Sequence, residues 1–422
     1  MALSDKQVQG ASTEQTYRFE VKIGSRDLSN DIYQFNIITS IQLPYQTFEL
    51  GFVLDQNDLI IDKIYGQEPI KISVILEAET SDELNRTDFE LIFLDTVNVL
   101  TNQVTIPSSA ASEQSDGASQ QMDRIPVNFT AISKKAYTTM NYYVNGVFHA
   151  KTTSEIIKSL VEKTGAQLIM DPQDSQDQIT QVLIPPTSLY QSFSYLNQLF
   201  GLYNGVPIYF CSHDNKVYIK NLSKKITSSD AFTIYQLALD SQEDVYKDKP
   251  GERTYISWGS IKSNYKGNSV VAAITPSLRY ILKPRDRLFE KIEIDIDKFT
   301  KDCGIVDKDS QIFYDKTTLK ADNRKATYIS QTGNELTQTF INSTLSRHIS
   351  DLTTLDMVIN RNFYLLNFMD VGEAVNFISQ TDQNIPISGK YILKSSMIGF
   401  TKLASWEASA LISLIRSNKN AS

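Results

Sequence analysis

Cysteine is scarce in this chain, with Cys211 and Cys303 the only two in 422 residues. They lie far apart and form no metal-ligand pattern. That argues against a disulfide framework and for buried thiols in a protein folded in a reducing cytosol. Histidine is hardly commoner. His149, His213 and His348 are scattered, with no HExxH helix, no paired spacing and no cysteine cluster, so no zinc site is expected. His213 falls in an apparent hairpin turn and reads as a polar turn residue, while His348 ends a helix, where an imidazole favours the helix dipole. No run approaches eighteen consecutive apolar residues, so no helix is expected to span a membrane. The polar opening MALSDKQVQGASTEQ has no apolar signal-peptide core, and no leader is expected from it. Positive charge is in deficit, with 41 basic against 49 acidic residues and a net charge of −8. Nucleic-acid binders gain affinity by replacing phosphate counterions with Lys and Arg, so a polyanion is a poor main partner. A neutral or acidic wall would still let DNA slide through a channel without sticking. Glycine is outnumbered too, 17 against 21 Tyr and 20 Phe, which favours β-rich packing over flexible linker.

The remaining composition is globular, at 41% hydrophobic and 21% charged. A chain this long exceeds one core, and two to four domains are expected. From Tyr17 onward period-two runs dominate. YRFEVKI puts Tyr17, Phe19, Val21 and Ile23 on one face, and YQFNIITSIQL follows at Tyr33. IKISVIL aligns Ile70, Ile72, Val74 and Leu76, and FELIFLDTVNV and IPVNFTAIS start at Phe89 and Ile125. These read as half-buried antiparallel strands. Between the last two, residues 106–123 are rich in Ser, Gln and Ala and too polar to offset their ordering entropy. The expectation there is a mobile loop at a hairpin tip.

The period then changes. TTSEIIKSLVEKTG has capping residues, apolar Ile156, Ile157, Leu160 and Val161, and a Gly stop. PTSLYQSFSYLNQLFGLYNG repeats the plan, with Ser188 as cap and Leu189, Phe193, Leu196 and Phe200 on one face. VPIYFCS and KVYIKN follow, joined through His213, Asp214 and Asn215 as a hairpin. This is a small α/β module, and Pro250 and Gly251 among charges mark its end. From Arg253 to about Ser330, YISWG, SVVAAI and LFEKIEIDIDKF read as strands and CGIVDKDSQ as a loop. Beyond that, NELTQTFINSTLSRHI reads as an amphipathic helix with Leu336, Phe340 and Leu345. TLDMVIN, GEAVNFIS, GKYILKSSMIGF and WEASALISLIR read as strands.

The two ends echo each other. In each, a Gly with a neighbouring Glu opens an alternating strand (Gly66 and Glu68; Gly372 and Glu373). An aromatic-led strand and a last alternating strand complete each set. Two copies of one β-unit would let a homotrimer present six equivalent faces, and closed rings remove exposed strand edges.

Candidate chemistry is thin. Asp171, Asp174 and Asp177 are spaced by three, without the central Gly and closing Glu of an EF-hand, and read as a solvated loop. Glu293, Asp295 and Asp297 share one strand face opposite Ile292, Ile294 and Ile296. Glycosidases need two carboxylates in opposed environments, whereas three on one face read as polar surface or lumen lining. No nucleophile elbow, Walker loop or dinucleotide fingerprint occurs. Tyr142–Tyr143 and Phe363–Tyr364 read as core or interface packing, lacking the Lys and Arg of a base-stacking platform.

The block order resembles the baseplate hub proteins of contractile-tailed phages, a family that also resembles the N-terminal hub part of type VI secretion spike proteins. The likeness is carried by NELTQTFINSTLSRHI, LTTLDMVI, MDVGEAVNFI, GKYILKSSMIGF and a last strand ending at Arg416. In the middle it is carried by SLYQSFSYLNQLFGLYNG running into VPIYFCSHDNKVYI. The resemblance implies an α+β, mostly β fold with two related antiparallel tube-type β-barrel domains and an inserted small α/β module. Its expected parts are an N-terminal arm (1–14), a first barrel (15–135), the module (136–250), a β-rich connection (251–330) and a second barrel (331–422). It further implies a homotrimeric pseudo-six-fold ring joining the tail tube to a central spike and forming part of the DNA channel. The expected partners are the spike, a tube or tube-initiator protein, the tape measure and baseplate wedges, with DNA only in transit and no stable membrane association. The expected location is the virion tail baseplate, after assembly in the host cytoplasm. The family offers no catalytic, cofactor-binding or metal residues to carry over, and no enzyme is expected. The rival readings are a carbohydrate-processing or carbohydrate-binding protein using Asp295 or Asp297, and a tail-fibre adhesin, although the repeats and heptads of fibres are missing.

Overall fold

Alternating sequence becomes strand throughout the described part of the chain. In this computed structural model residues 16–55, 68–77, 85–99, 124–174, 178–203, 206–222, 232–237, 254–258, 261–265, 282–285, 288–295, 325–328, 353–359, 372–379, 387–403 and 405–416 are described. The chain opens with β1 (Thr16–Ile23), β2 (Arg26–Asp27), β3 (Ile32–Ser40), β4 (Thr47–Asp55), β5 (Ile70–Glu77), β6 (Asn85–Val99) and β7 (Arg124–Ser133). β1 buries Tyr17, Phe19, Val21 and Ile23 while Arg18 and Lys22 face water, so period two translates directly into one wet and one dry face.

A module follows: α1 (Lys134–Met140), β8 (Tyr143–Lys151), α2 (Thr153–Glu162), β9 (Gln167–Met170), β10 (Ile179–Ser188), α3 (Leu189–Leu199), β11 (Pro207–Cys211) and β12 (Lys216–Asn221). Its helices start where side chains satisfy orphan backbone donors. Thr152 accepts from the Glu155 amide while the Glu155 carboxylate accepts from the Thr152 amide, a reciprocal capping box. Ser188 accepts from the Gln191 amide at 3.3 Å. Ile156, Ile157, Leu160 and Val161 of α2 pack with Leu189, Phe193, Leu196 and Phe200 in one apolar cluster. β8 pairs with β10 antiparallel, and β12 pairs with β11 antiparallel and β9 parallel.

The rest of the chain adds β13 (Phe232–Leu237), β14 (Thr254–Trp258), β15 (Lys262–Tyr265), β16 (Leu282–Arg285), β17 (Leu288–Asp295), β18 (Lys325–Tyr328), β19 (Thr353–Ile359), β20 (Ala374–Ser379), β21 (Gly389–Lys402) and β22 (Trp406–Arg416). The fold is mostly β, with three helices among the described residues. β16, β17 and β18 form a small sheet of their own.

Fourteen strands join in one large sheet. Its front half runs β3-β4-β7-β6-β5-β1-β2 and its back half β15-β19-β22-β21-β20-β13-β14. The first four pairings of each half are antiparallel and follow the same order. Even an irregularity repeats. Leu91↔Ser133, Ile92↔Ile132 and Phe93↔Ala131 are followed by a slip to Asp95↔Thr130. Tyr391↔Arg416, Ile392↔Ile415 and Leu393↔Leu414 are followed by a slip to Ser395↔Ser413. A β-bulge sits at one topological position in both halves. The halves diverge next, since β5 meets β1 antiparallel whereas β20 meets β13 parallel.

The seam between the halves is β21 against β3, with Ser395–Thr401 opposite Ser40–Gln34. Behind it one core serves both halves. Phe400 lies 5.0 Å from Tyr17, 5.3 Å from Phe19 and 6.2 Å from Phe35, ring centre to ring centre. Each such aromatic pair adds about 0.5–1.5 kcal/mol beyond its buried area.

Two sequence expectations change at this level. The pairings recorded for the described residues join both ends in one sheet and include no closed barrel, although β14 curls back to β19, where the Ser257 hydroxyl donates to the Val358 carbonyl at 3.1 Å. β13, expected within the module at 136–250, pairs with β20 in the large sheet. Its buried Phe232 and Ile234 belong to the large core, which is what draws it there. The arm at 1–14, the polar stretch 106–123, the strand SVVAAI, the loop CGIVDKDSQ and the helix expected at 334–349 lie outside the described residues.

Candidate assembly interface

The candidate chemical residues that lie among the described residues do not converge. Among the described residues no group of His, Cys, Asp and Glu could hold a metal ion. His149 is exposed on β8. Asp171 is structural: its carboxylate accepts from the Asn221 amide at 2.9 Å, and its carbonyl accepts from the Tyr203 hydroxyl at 2.9 Å. Burial pushes the Tyr203 hydroxyl far above its ordinary pKa, so it acts as a neutral donor. Asp174 is exposed on the loop that follows. Glu293 and Asp295 lie on β17, opposite Thr327 and Lys325. Asp177, Asp297, Cys303, His348, Phe363 and Tyr364 lie outside the described residues. An open depression between β10 and α3, lined by Pro185, Thr187, Gln191, Ser194 and Tyr195, brings no paired acid and base together.

What the fold does assemble is a set of contacts between module and sheet. Cys211 donates its amide to the Pro44 carbonyl at 2.8 Å, and the Cys211 strand bridges in parallel to Tyr45. Burial pushes the Cys211 thiol up to about 12, which makes it an inert apolar filler. The turn after it holds His213, whose amide donates to the Gln46 side chain at 3.3 Å and whose ring lies 4.7 Å from that of Phe89 on β6. His213 is therefore more than the turn residue expected. It packs the module onto the front half, a long-range contact that no local pattern encodes. Its Nδ1 is buried and finds no hydrogen-bond partner among the described residues. Burial lowers its pKa, Asp214 opposes that shift, and Lys216 and Lys135 add to it.

The same hairpin also meets the back half. The Lys220 ammonium sits 2.7 Å from the Glu373 carboxylate, with both side chains largely shielded. Val206, Ile208, Phe210 and Leu222 pack against Ile392 and Ile415. Gly372 makes this approach possible. It has φ +74°, and a Cβ there would lie 2.7 Å from Ile208 Cδ1 and 3.1 Å from Lys220 Cδ. The sequence marked Gly372 and Glu373 as strand openers, and both turn out to be contact residues for the module.

Two groups stand out among the apolar side chains left on the surface. Val358, Leu411 and Met397 are exposed and lie side by side across β19, β22 and β21. Tyr142, Tyr143, Val147 and Leu183 are exposed on the module, where Val147 and Leu183 pair directly. Contiguous exposed apolar rows of this kind mark interaction surfaces in soluble proteins. No helix of the described residues is long and apolar enough to cross a membrane.

The family model described as bacteriophage PBS1 gene 109 protein matches residues 25–395. No curated protein matches the chain. Among solved structures the chain is similar to the tail protein from Neisseria meningitidis MC58, at 10% identity and a TM-score of 0.51, over 96% of this chain and 99% of that one. The 43 kDa tail protein of prophage MuSo2 from Shewanella oneidensis matches at 10% identity and a TM-score of 0.49, over 96% and 98%. An E. coli component of the type VI secretion system, described as structurally similar to T4 bacteriophage tail proteins gp27 and gp5, matches at 8% identity and a TM-score of 0.44, over 95% and 78%. At 10% identity the likeness to the Neisseria protein is one of fold.

Proposed function

The chain belongs to the family of the bacteriophage PBS1 gene 109 protein, a phage tail family, and on that premise we propose that it is the hub subunit of a contractile tail's baseplate. Three copies form a ring of near six-fold outline that joins the tail tube to a central spike. One observation carries this reading: the two halves of the large sheet repeat one order of strand pairing, including a bulge at the same place. A chain with two copies of one unit reconciles a three-fold spike with a six-fold tube, because three chains offer six similar units.

The role is mechanical rather than catalytic. The ring stays closed while the spike is driven out, and its lumen then conducts DNA past a chain of net charge −8 that does not retain polyanions. The two domains of the tube type correspond to 15–135 and to the strands from 232 onward, with the module of 136–222 inserted between them. The exposed rows at Val358, Leu411 and Met397 and at Tyr143, Val147 and Leu183 suit partners of the tail: the spike, a tube or tube-initiator protein, the tape measure and the baseplate wedges. The protein then resides in the virion tail after assembly in the host cytoplasm.

The test is light scattering on the purified chain together with low-resolution electron microscopy and a polysaccharide-cleavage assay. A three-chain mass and a torus with a central hole are expected. A monomer that cleaves polysaccharide would overturn the proposal.

A further inference from the structure

The seam inside one chain specifies the seam between chains. β21 is long enough to serve two partners along one edge: Gly389–Ile392 pair with β20, and Ser395–Thr401 pair with β3 of the other half. β6 is the counterpart of β21. Its Asn85–Leu91 stretch pairs with β5, and from Leu94 to Val99 the edge beyond β5 has no partner strand among the described residues. β15 is the counterpart of β3. It pairs with β19 on one side and with no other strand among the described residues. Each half thus has a joint of the same kind, but among the described residues only one of the two joints is filled.

We propose that the β6 edge at Thr96–Val99 receives β15, Lys262–Tyr265, of a neighbouring copy of this chain as an antiparallel strand. The inference rests on the ring reading and deepens it by naming the contact that closes the ring. The shared bulge sets the register. It equates Asp95 with Ser395, and the pairings Phe48↔Ala131 and Leu355↔Leu414 equate Phe48 with Leu355. From there Ile37↔Phe48 and Ser263↔Leu355 equate Ile37 with Ser263. β6 takes a second slip, from Asp95↔Thr130 to Asn98↔Asn128, that β21 lacks, so Asn98 equates with Met397 and Val99 with Ile398. Carrying Met397↔Ile38 and Ile398↔Ile37 across places Asn264 opposite Asn98 and Ser263 opposite Val99.

The physical pressure is the same at both joints. An open edge presents a row of unsatisfied amides and carbonyls, and proteins either blunt such an edge or pair it. Leu94, at the head of the β6 edge, is 40% exposed, an apolar residue where a permanently wet edge would carry a charge. One internal and one external joint per chain give six joints in a ring of three, and the pairing is head-to-tail, so the rotation that closes it leaves neither joint open.

The experiment joins Asn98→Cys with Asn264→Cys in the full chain, with Val99→Cys plus Ser263→Cys as a second pair. Directly opposed residues have Cβ atoms about 4.5–5.5 Å apart, within reach of oxidation or a short bis-maleimide. Covalent dimers and trimers on a non-reducing gel are expected from either pair, with no such bands from the single variants or the parent chain. A sample that stays trimeric by light scattering but yields no cross-links between chains, or links only within the monomer, overturns this contact and leaves the ring standing. A sample that is monomeric at every concentration overturns both.

Discussion

Replacing Gly372 by alanine would test whether the module is held against the back half of the sheet by backbone geometry. At φ +74° an L-residue carries about 1–2 kcal/mol of strain. The new methyl would also meet Ile208 Cδ1 at 2.7 Å, and Ile208 is buried among Phe210, Leu222, Ile392 and Ile415. Moving it off its rotamer costs about 0.5–1.5 kcal/mol more, for a sum of about 1.5–3.5 kcal/mol. Gly165 supplies the control. It has φ +72° and nothing within 4 Å of a built Cβ, so Gly165→Ala carries the strain without the contact. The gain from a less flexible unfolded chain is common to both variants and cancels in their difference. Native-state hydrogen exchange reads the result locally. Opening of β11 and β20 together should accelerate roughly ten- to 400-fold in Gly372→Ala. Gly165→Ala should act only within the module and about two- to twelvefold less. Equal effects from both, or an unchanged β20, would refute the role assigned to Gly372.

Phe400→Ala, at the shared core beneath the seam, should cost about 3–5 kcal/mol and lower the urea midpoint of the whole large sheet, not of one half. If the halves unfold separately, the single core is wrong. Thr152→Ala removes the capping hydroxyl and should cost about 1 kcal/mol, seen as faster exchange in α2. The backbone bond from Thr152 holds the Glu155 carboxyl below its ordinary value, so its contribution is present above that value and is lost as pH falls through the depressed one. His213 is depressed by burial, so the unfolded chain takes up its proton first. Stability should hold above about pH 6.5 and decline on acidification below it, and the thermal midpoint of His213→Gln should be less sensitive between pH 8 and pH 5. An undiminished sensitivity would place the pH response elsewhere.

The strands that alternate cleanly were legible in the sequence, since β1, β3, β5 and β21 each need only their own side chains to declare a face. Two helices were legible down to the Ser188 cap, because caps and apolar stripes are local chemistry. α1 was not: KKAYTTM is a seven-residue segment with no apolar stripe, held by a Ser133 cap and by packing of Ala136 and Met140 into the module. β13 falls within the module by sequence order because its pairing with β20 spans 143 positions of chain, and period two cannot name a partner. The same limit hid the role of His213, whose contact with Phe89 lies 124 residues away. The echo between the ends was visible only as an order of blocks, and strand pairing turned that order into a register.

The seam of β21 on β3 also sets a clock. Ser40 leaves the ribosome 355 residues before its partner Ser395. At ordinary rates of synthesis that interval is roughly twenty seconds to a little over a minute. Throughout it the outer edge of β3 is an open template for any passing strand. A nascent chain therefore has no finished front half to offer another copy until residue 401 is made. Fraying or truncation beyond residue 389 should return the protein to that vulnerable state, with aggregation rather than slow unfolding as its signature.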